Sequence, residues 1–162
     1  CALPILHIVP AQPEHIEAAV QIAIAAWTPI REIFRRDLGD TLYDAFFTDW
    51  QSSKRRDVTD ELLSGRGFVA LDGNTVVGFI GYSLSPDGKI GTIMTNAVSR
   101  DYRGHGIGVR MYEFILNVMR EKGAQYAKVL TGGDDGHAPA RRAYTKAGFS
   151  ASLPSVTYYR EL

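Results

Sequence analysis

The sequence predicts a mixed α/β domain with one central sheet, and two observations lead to that fold class. Between Gly67 and Val98 the apolar residues follow the period of β-strands, with Asp72-Gly73 as a hairpin turn signal. On either side of this segment apolar residues recur at helical spacing, as they do from Glu14 to Trp27. Helical segments before and after a group of strands are typical of a sheet that is covered by helices.

The N-terminal part is predicted to contain one strand and three helices. Leu6–Val9 alternates and predicts a short first strand, and Pro13 is suited to the first turn of a helix. From Glu14 to Trp27 the polar residues fall on one face, which predicts an amphipathic helix. Helical patterns continue over Ile30–Arg36 and Leu42–Leu63, and we expect two further helices there.

Three strands follow and are predicted to form an antiparallel meander. Gly67–Leu71 and Thr75–Leu84 flank the Asp-Gly turn. A second turn at Ser85–Gly88 leads into a strand from Lys89 to Val98. Because both connections are short, each strand is expected to pair with the next one along the chain.

The C-terminal part alternates helices and strands. An amphipathic helix is predicted after Gly108, and Gly123 ends it. Tyr126–Thr131 predicts a strand, Pro139–Ala147 a short helix, and Val156–Tyr159 a last strand.

Length and charge limit what the chain can do. It has 162 residues, which suits one domain, so residues 1–162 are predicted to form a single domain. The 18 Lys and Arg residues balance 18 Asp and Glu residues. This balance argues against a nucleic-acid partner, because such proteins carry a basic surplus. The longest mostly apolar stretch, Ile16–Trp27, is too short to cross a bilayer, and no export signal is present, so we expect a cytoplasmic protein without membrane contact.

Residue types that bind metals or form disulfides are scarce. Cys1 is the only cysteine, so neither an intramolecular disulfide nor a cysteine zinc site can form. The four histidines are scattered without metal-ligand spacing, and no metal is expected. A start at Cys1 instead of Met indicates a trimmed sequence, with a lipid-bearing cysteine as the alternative.

The segment Arg103-Gly-His-Gly-Ile-Gly108 lies between a predicted strand and a predicted helix and indicates an anion site. Gly104, Gly106 and Gly108 let backbone N–H groups converge, and the helix N-terminus adds a positive dipole. A phosphate or pyrophosphate is the natural ligand of such a turn. No Lys follows the glycines as a Walker loop requires, and Val109 occupies the third glycine position of the dinucleotide fingerprint. Both common nucleotide sites are therefore disfavoured.

These residues resemble the pyrophosphate-binding signature of the GNAT superfamily of acetyl-CoA-dependent N-acetyltransferases, (Gln/Arg)-x-x-Gly-x-(Gly/Ala). Arg103 to Gly108 meet this signature. A second resemblance lies downstream, where Ala143–Phe149 is similar to the family's helix that ends in Tyr-x-Lys-x-Gly-Phe. The two motifs follow each other in the order and spacing typical of the family. The resemblance extends from Gly67 to Phe149.

The resemblance implies a cleft for acetyl-CoA, the acyl donor. In the family the fourth and fifth strands of a mostly antiparallel sheet splay apart, and the pantetheine arm lies between them. The backbone at Ala97 and Val98 would then pair with the arm and polarise the thioester carbonyl, which becomes an oxyanion under attack. His137 stands where the family commonly has an asparagine that contacts the arm. The pyrophosphate would be held by Arg103, Gly104, His105, Gly106, Ile107 and Gly108.

The resemblance also assigns a proton donor, and it leaves the proton acceptor open. Tyr144 would act as the general acid that protonates the leaving thiolate. Many family members carry a glutamate on the fourth strand as the general base, but Lys89–Val98 contains no carboxylate. An amine with a pKa near that of lysine, about 10.4, must still lose a proton before it attacks. The candidates in this sequence are Asp134, Asp135, Glu32 and bulk water.

The implied function is transfer of an acetyl group from acetyl-CoA to a primary amine by direct attack, without a covalent enzyme intermediate. The acceptor is a small-molecule amine or a peptide, with a small molecule favoured, and the sequence does not identify it. A domain that binds acyl-CoA without catalysis is the alternative, because the strand carboxylate and the family's asparagine are both missing. A binder of another phosphate ligand is a third. Exposed edges of such a sheet also allow a homodimer.

Overall fold

The computed structural model describes residues 5–162, in which helices cover both faces of one five-stranded sheet. Cys1 lies outside the described residues. The spatial order of the strands is their order in the chain. They are β1 (Leu6–Pro10), β2 (Gly67–Asp72), β3 (Thr75–Leu84), β4 (Ile90–Val98) and β5 (Tyr126–Val129). Neighbouring strands are antiparallel except for β5, which runs parallel to β4.

The described part of the chain forms α-helices on both sides of the meander. They are α1 (Ile16–Leu38), α2 (Asp40–Phe47), α3 (Trp50–Glu61), α4 (Ile107–Glu121) and α5 (Ala138–Lys146). A π-helical turn, Leu62–Arg66, joins α3 to β2. The predicted class, a mixed and mostly antiparallel sheet flanked by helices, is confirmed.

Two apolar clusters attach the helices to the sheet. On one face α1 and α3 pack around the fully buried Val20, Val58 and Phe79. On the other face α4 contributes Met111 and Ile115, which are also fully buried. Burying a side chain of this size stabilises a fold by about 1.5–3 kcal/mol. Both faces of the sheet are therefore covered, and a ligand can reach the strands only where they separate.

The helix boundaries before the sheet differ from the prediction. A break was expected between Trp27 and Ile30, but α1 runs through Pro29. Proline removes only one backbone donor, and the Thr28 hydroxyl donates to the Ile24 carbonyl at 2.7 Å in the same turn. The predicted helix over residues 42–63 is in turn divided at positions 48 and 49 into α2 and α3.

The prediction of a last strand at Val156–Tyr159 is wrong. Residues 150–162 have no regular secondary structure and make no backbone–backbone hydrogen bond to the rest of the described chain. Tyr159 is anchored instead by its ring, whose centroid lies 5.0 Å from that of Phe46 and 6.2 Å from that of Phe47. An alternating sequence becomes a strand only when a neighbour supplies the ladder, and here β5 remains an edge strand without one.

The parting of β4 and β5 is the feature of the sheet that creates a site. The two strands pair only from Ile90 opposite Tyr126 to Ile93 opposite Val129. Beyond Ile93, β4 continues to Val98 along β3 without a strand on its other side. The predicted cleft between the fourth and fifth strands is therefore confirmed.

Candidate active site

A cavity of about 1070 Å³ opens where β4 and β5 separate. Its walls come from β4, β5, the N-terminal end of α4, α5 and the middle of α1. Most residues that the sequence singled out lie in this wall: Ala97, Val98, Arg103, Gly104, Gly106, Ile107, Gly108, His137 and Tyr144. His105 is exposed and does not belong to the wall. The fold thus brings together two motifs that are about 40 residues apart in the sequence.

The charge of the wall is strongly one-sided. Four of its residues are cations, and none of the wall residues in the described chain is Asp or Glu. The cations are Arg103, Lys128, Arg142 and Lys146. A concave surface with one sign of charge concentrates ligands of the opposite sign. The balanced charge of the whole chain therefore conceals a local anion site.

The backbone of β4 offers hydrogen-bonding groups to the cleft. The Ser99 N–H donates to the Val77 carbonyl on β3 at 2.8 Å. Because these groups alternate along an antiparallel ladder, those of Ala97 also face β3, whereas those of Val98 and Asn96 face away from it. The Val98 carbonyl accepts a long hydrogen bond from Arg103 Nε at 3.4 Å. Val98 therefore presents its backbone to the cleft, and Ala97 does not.

The turn before α4 has the conformation that its glycines allow. Gly104 and Gly106 have φ values of +80° and +74°, in the left-handed region that side chains rarely adopt. Gly106 precedes α4 directly, and its carbonyl accepts the first helical hydrogen bond, from Arg110 N–H at 3.1 Å. The N–H groups of the next residues have no partner within the helix and lie in the cavity wall. This cradle fits a phosphate group.

Tyr144 belongs to a hydrogen-bonded cluster that the sequence did not reveal. Its ring is buried and stacks on Tyr112 with 4.5 Å between centroids. The Tyr112 hydroxyl donates to Asn96 Oδ1 at 2.9 Å, and Asn96 Nδ2 donates to the Tyr144 hydroxyl at 3.1 Å. Burial raises the pKa of Tyr112. Because the Tyr144 hydroxyl accepts from Asn96, that hydrogen bond does not use its own hydrogen.

The carboxylates that the sequence offered as bases do not belong to the cavity wall. Glu32 and Asp135 are exposed and outside the cavity wall. Asp134 Oδ2 lies 2.6 Å from His137 Nδ1, and its other oxygen accepts from the His137 N–H at 3.2 Å. Burial alone would raise the pKa of the Asp134 carboxyl, but the hydrogen bonds and charge of His137 lower it below its usual value. Both oxygens of Asp134 therefore contact His137, and Asp134 itself is outside the cavity wall.

Glu61, at the end of α3, is a carboxylate that the sequence analysis missed. The register of β3 and β4 shifts at Gly81, where β4 bulges at Met94 and Thr95. Glu61 Oε2 accepts from the Thr95 N–H at 3.2 Å, and its Oε1 is buried without a partner among residues 5–162. Burial raises the pKa of Glu61 to about 7, against the lowering effect of the Thr95 hydrogen bonds.

No sequence signal connects Glu61 with the cleft, because Thr95 lies 34 residues away and the helical pattern around Glu61 is unremarkable. A side chain at Gly81 would overlap the Glu61 carboxylate, so this glycine provides its space. Asn96 carried a weak signal, since it is a polar side chain near the end of a strand whose last residues are Ala97 and Val98.

Sequence comparison decides the family. The model of the GNAT acetyltransferase family matches residues 27–149, which is most of the chain. The chain belongs to the GNAT acetyltransferase family. It is an acetyltransferase, as the two motifs predicted. No curated protein matches the sequence.

Solved structures of GNAT acetyltransferases share the fold at low sequence identity. The aminoglycoside N-acetyltransferase AAC(6')-Iy, bound to a bisubstrate analogue, has 13% identity and a TM-score of 0.66, with 97% of this chain and 99% of that chain covered. A GNAT protein from Desulfovibrio desulfuricans has 17% identity and a TM-score of 0.69, over 91% and 87% of the two chains. The PaiA N-acetyltransferase of Thermoplasma acidophilum, in complex with coenzyme A, has 15% identity and a TM-score of 0.69, over 93% and 92%.

Residues 5–162 lack two features, a membrane-spanning helix and a cluster of metal ligands. None of the helices there combines the length and apolar character needed to traverse a bilayer. Within the same residues, no three side chains of His, Cys, Asp or Glu are grouped to hold a metal ion.

The raised pKa of Glu61 predicts a pH-dependent stability. Between its ordinary value of 4.5 and about 7, the folded protein retains a proton that the unfolded chain has released, so the free energy of unfolding falls as the pH rises through this range. Glu61→Gln cannot ionise, and it keeps an oxygen for Thr95. We expect the variant to gain stability relative to wild type between pH 4.5 and pH 8, by no more than a few kcal/mol, since one pKa unit corresponds to about 1.4 kcal/mol.

Chemical denaturation at both pH values measures this difference. Glu32→Gln, at an exposed carboxyl, is the matched control and should keep a constant offset from wild type. A constant offset for Glu61→Gln as well would mean that Glu61 titrates like an ordinary surface carboxyl.

Proposed function

We propose that this enzyme acetylates the primary amine of a small molecule, by direct attack of the amine on the thioester of acetyl-CoA. The observation that carries the proposal is the cavity at the parting of β4 and β5. Among the described residues its wall has four cations and no carboxylate, and it also includes Trp27, Pro29 and Ile30 of α1. The cations suit the phosphates of the donor. The part of the cavity lined by α1, its α1 end, suits a small acceptor.

The donor's position follows from the backbone and from the charges. We assign the pyrophosphate to the turn from Gly104 to Gly108, whose residues other than His105 line the wall. The pantetheine arm would pair with the backbone of Val98, which faces the cleft, and pass His137 on the opposite wall. Acetyl-CoA supplies the activated thioester, and these residues fix its direction across β4.

The reaction requires proton transfers besides the change of bonds. The first proton leaves the ammonium before the amine attacks. As the C–N bond forms and the C–S bond breaks, a second proton passes from the enzyme to the leaving sulfur, and the nitrogen gives up its remaining extra proton, which restores the proton donor. Tyr144 supplies the second proton, because its hydroxyl accepts from Asn96 and keeps its own hydrogen available. Asn96 and Tyr112 hold this orientation.

Glu61 is our candidate for the first proton, received through water at the β4 bulge. It is bonded to Thr95, which lies in the cavity wall. It is also the acidic residue among those described whose pKa burial raises towards neutrality. A base with a pKa near the working pH combines sufficient basicity with a large ionised fraction.

The homodimer stays a prediction. The surfaces that would form it are the outer edge of β5 and the unpaired segment of residues 150–162, where Leu153, Val156 and Tyr158 are exposed.

A panel of amines tests the proposed function. With acetyl-CoA, small primary amines should release free thiol, and peptides and protein lysines should release much less. Release with peptides alone would make the small-molecule acceptor wrong. Calorimetric binding of acetyl-CoA without thiol release from any amine would support a silent acyl-CoA-binding domain instead.

Tyr144→Phe should lower kcat by about 10²-fold, because general acid catalysis contributes about 10²–10⁴-fold. The affinity for coenzyme A, measured by calorimetry, should change by less than about twofold, since the ring and its packing remain. Tyr126→Phe is the control, because Tyr126 is exposed on β5, and it should keep the wild-type kcat. A wild-type kcat in Tyr144→Phe would remove the hydroxyl from the mechanism.

Glu61→Gln should change the pH dependence of the rate as well as its size. In the wild-type enzyme kcat/KM should rise with pH through about 7 as Glu61 ionises, apart from any rise at higher pH that comes from the amine itself. The variant should be slower and lack this rise. If the variant is slower at every pH but keeps the rise near pH 7, Glu61 only supports the bulge. Glu32→Gln should retain the full wild-type profile.

A further inference from the structure

Two half-buried cations lie on the helices that face each other beside the α1 end of the cleft. They are Arg31 on α1 and Lys54 on α3. Neither has a carboxylate within ion-pair distance among residues 5–162, whereas Arg35, Arg36 and Arg55 each do. Three exposed cations of these helices are therefore paired with carboxylates, and the two half-buried ones are not.

Aromatic rings hold Arg31 in place. Its guanidinium carbon lies 4.9 Å from the ring centroid of Phe47, 5.2 Å from that of Phe34 and 5.6 Å from that of Trp50. Its Nε is buried without an acceptor among the described residues. Burial lowers the pKa of Arg31, but an arginine still keeps its charge. Rings attract a cation without accepting its N–H hydrogen bonds, so this guanidinium retains donors for a ligand.

Lys54 adds a second charge at the same place. Its Nζ lies 4.1 Å from the ring centroid of Trp27. Burial, followed by the charge of Arg31, lowers the pKa of Lys54, while Asp57 and Glu61 act in the opposite direction. The two cations therefore repel each other in a partly desolvated site, and an anion between them would relieve that repulsion.

A second cavity, of about 200 Å³, lies between these groups. Arg31 and Lys54 line it together with aromatic rings and two carboxylates, Asp49 and Asp57, which are exposed. The cations thus occupy the inner part of the pocket and the carboxylates its solvent side. Trp27 lines the main cavity, and its ring contacts the Lys54 ammonium, which lines the second cavity. The second cavity therefore adjoins the α1 end of the main cavity.

We propose that this pocket, formed by Arg31 and Lys54, binds an anionic group of the acceptor, so that the substrate is an amine that also carries a carboxylate or a phosphate. The inference rests on the proposed function and names its substrate class. A guanidinium binds both groups through two parallel hydrogen bonds, and Lys54 adds a point charge. Phe47 and Trp50 suit an apolar or aromatic part of the same molecule.

Matched pairs of amines test this assignment. Phenylalanine against phenethylamine isolates the carboxylate, and phosphoethanolamine against ethanolamine isolates the phosphate. For at least one pair, we expect the kcat/KM of the anionic member to exceed that of the member without the anionic group at least 10-fold. The pair with the larger ratio of the two kcat/KM values shows whether the pocket prefers a carboxylate or a phosphate. Arg31→Gln and Lys54→Met should each remove most of that ratio. Arg55→Gln, at an exposed cation paired with Glu17, should preserve it.

Binding without turnover separates this proposal from the proposed function. With coenzyme A present, calorimetry should detect N-acetylphenylalanine or N-acetylphosphoethanolamine, and the binding should weaken about 10-fold or more in Arg31→Gln and in Lys54→Met. Such binding without any amine acetylation would support the pocket and overturn the function. Equal acetylation of both members of each pair would overturn the pocket and leave the function intact. Loss of the ratio in Arg55→Gln alone would also overturn it.

Discussion

Most of the chemistry of this protein follows from one local change in the sheet, the end of β4–β5 pairing after Ile93. Up to that point the two strands satisfy each other's backbone groups. Beyond it, β4 keeps β3 as a partner and leaves the N–H and C=O groups of Asn96 and Val98 without a strand opposite them. Backbone groups in a covered sheet need partners. A ligand with amide groups of its own, such as the arm of acetyl-CoA, can provide them.

The same opening determines where charge is useful. The chain is neutral overall, yet the cavity wall in the described residues has four cations and no carboxylate, while Glu61 lies behind the β4 bulge. The Glu61 carboxylate contacts β4 from the side of α3, through the Thr95 N–H. Arg31 and Lys54 lie on α1 and α3, on the same side. In the function that we propose, the turn before α4 holds the donor and the α1–α3 side receives the acceptor.

Local sequence predicted the parts of the fold that short-range interactions decide. The Asp72-Gly73 turn and the alternating residues around it predicted the β2–β3 hairpin to within one residue of its observed limits, and Gly104 and Gly106 marked the turn with positive φ before α4. The expected break between Trp27 and Ile30 is absent, because packing along α1 outweighs the one hydrogen bond that Pro29 removes. The strand predicted at Val156–Tyr159 is also absent, because alternating residues form a strand only where a neighbouring strand supplies hydrogen bonds.

The family, the phosphate turn and the position of Tyr144 on its helix were readable from the residues alone, since each depends on a contiguous motif. The partners of Tyr144 and the location of Glu61 were not. Asn96 and Tyr144 are 48 positions apart in the sequence, and Glu61 and Thr95 are 34 apart. Contacts at such separations produce no periodic pattern in the sequence. The raised pKa of Glu61 and the orientation of the Tyr144 hydroxyl depend on burial between the sheet and the helices. That burial exists only after the helices have packed on the sheet.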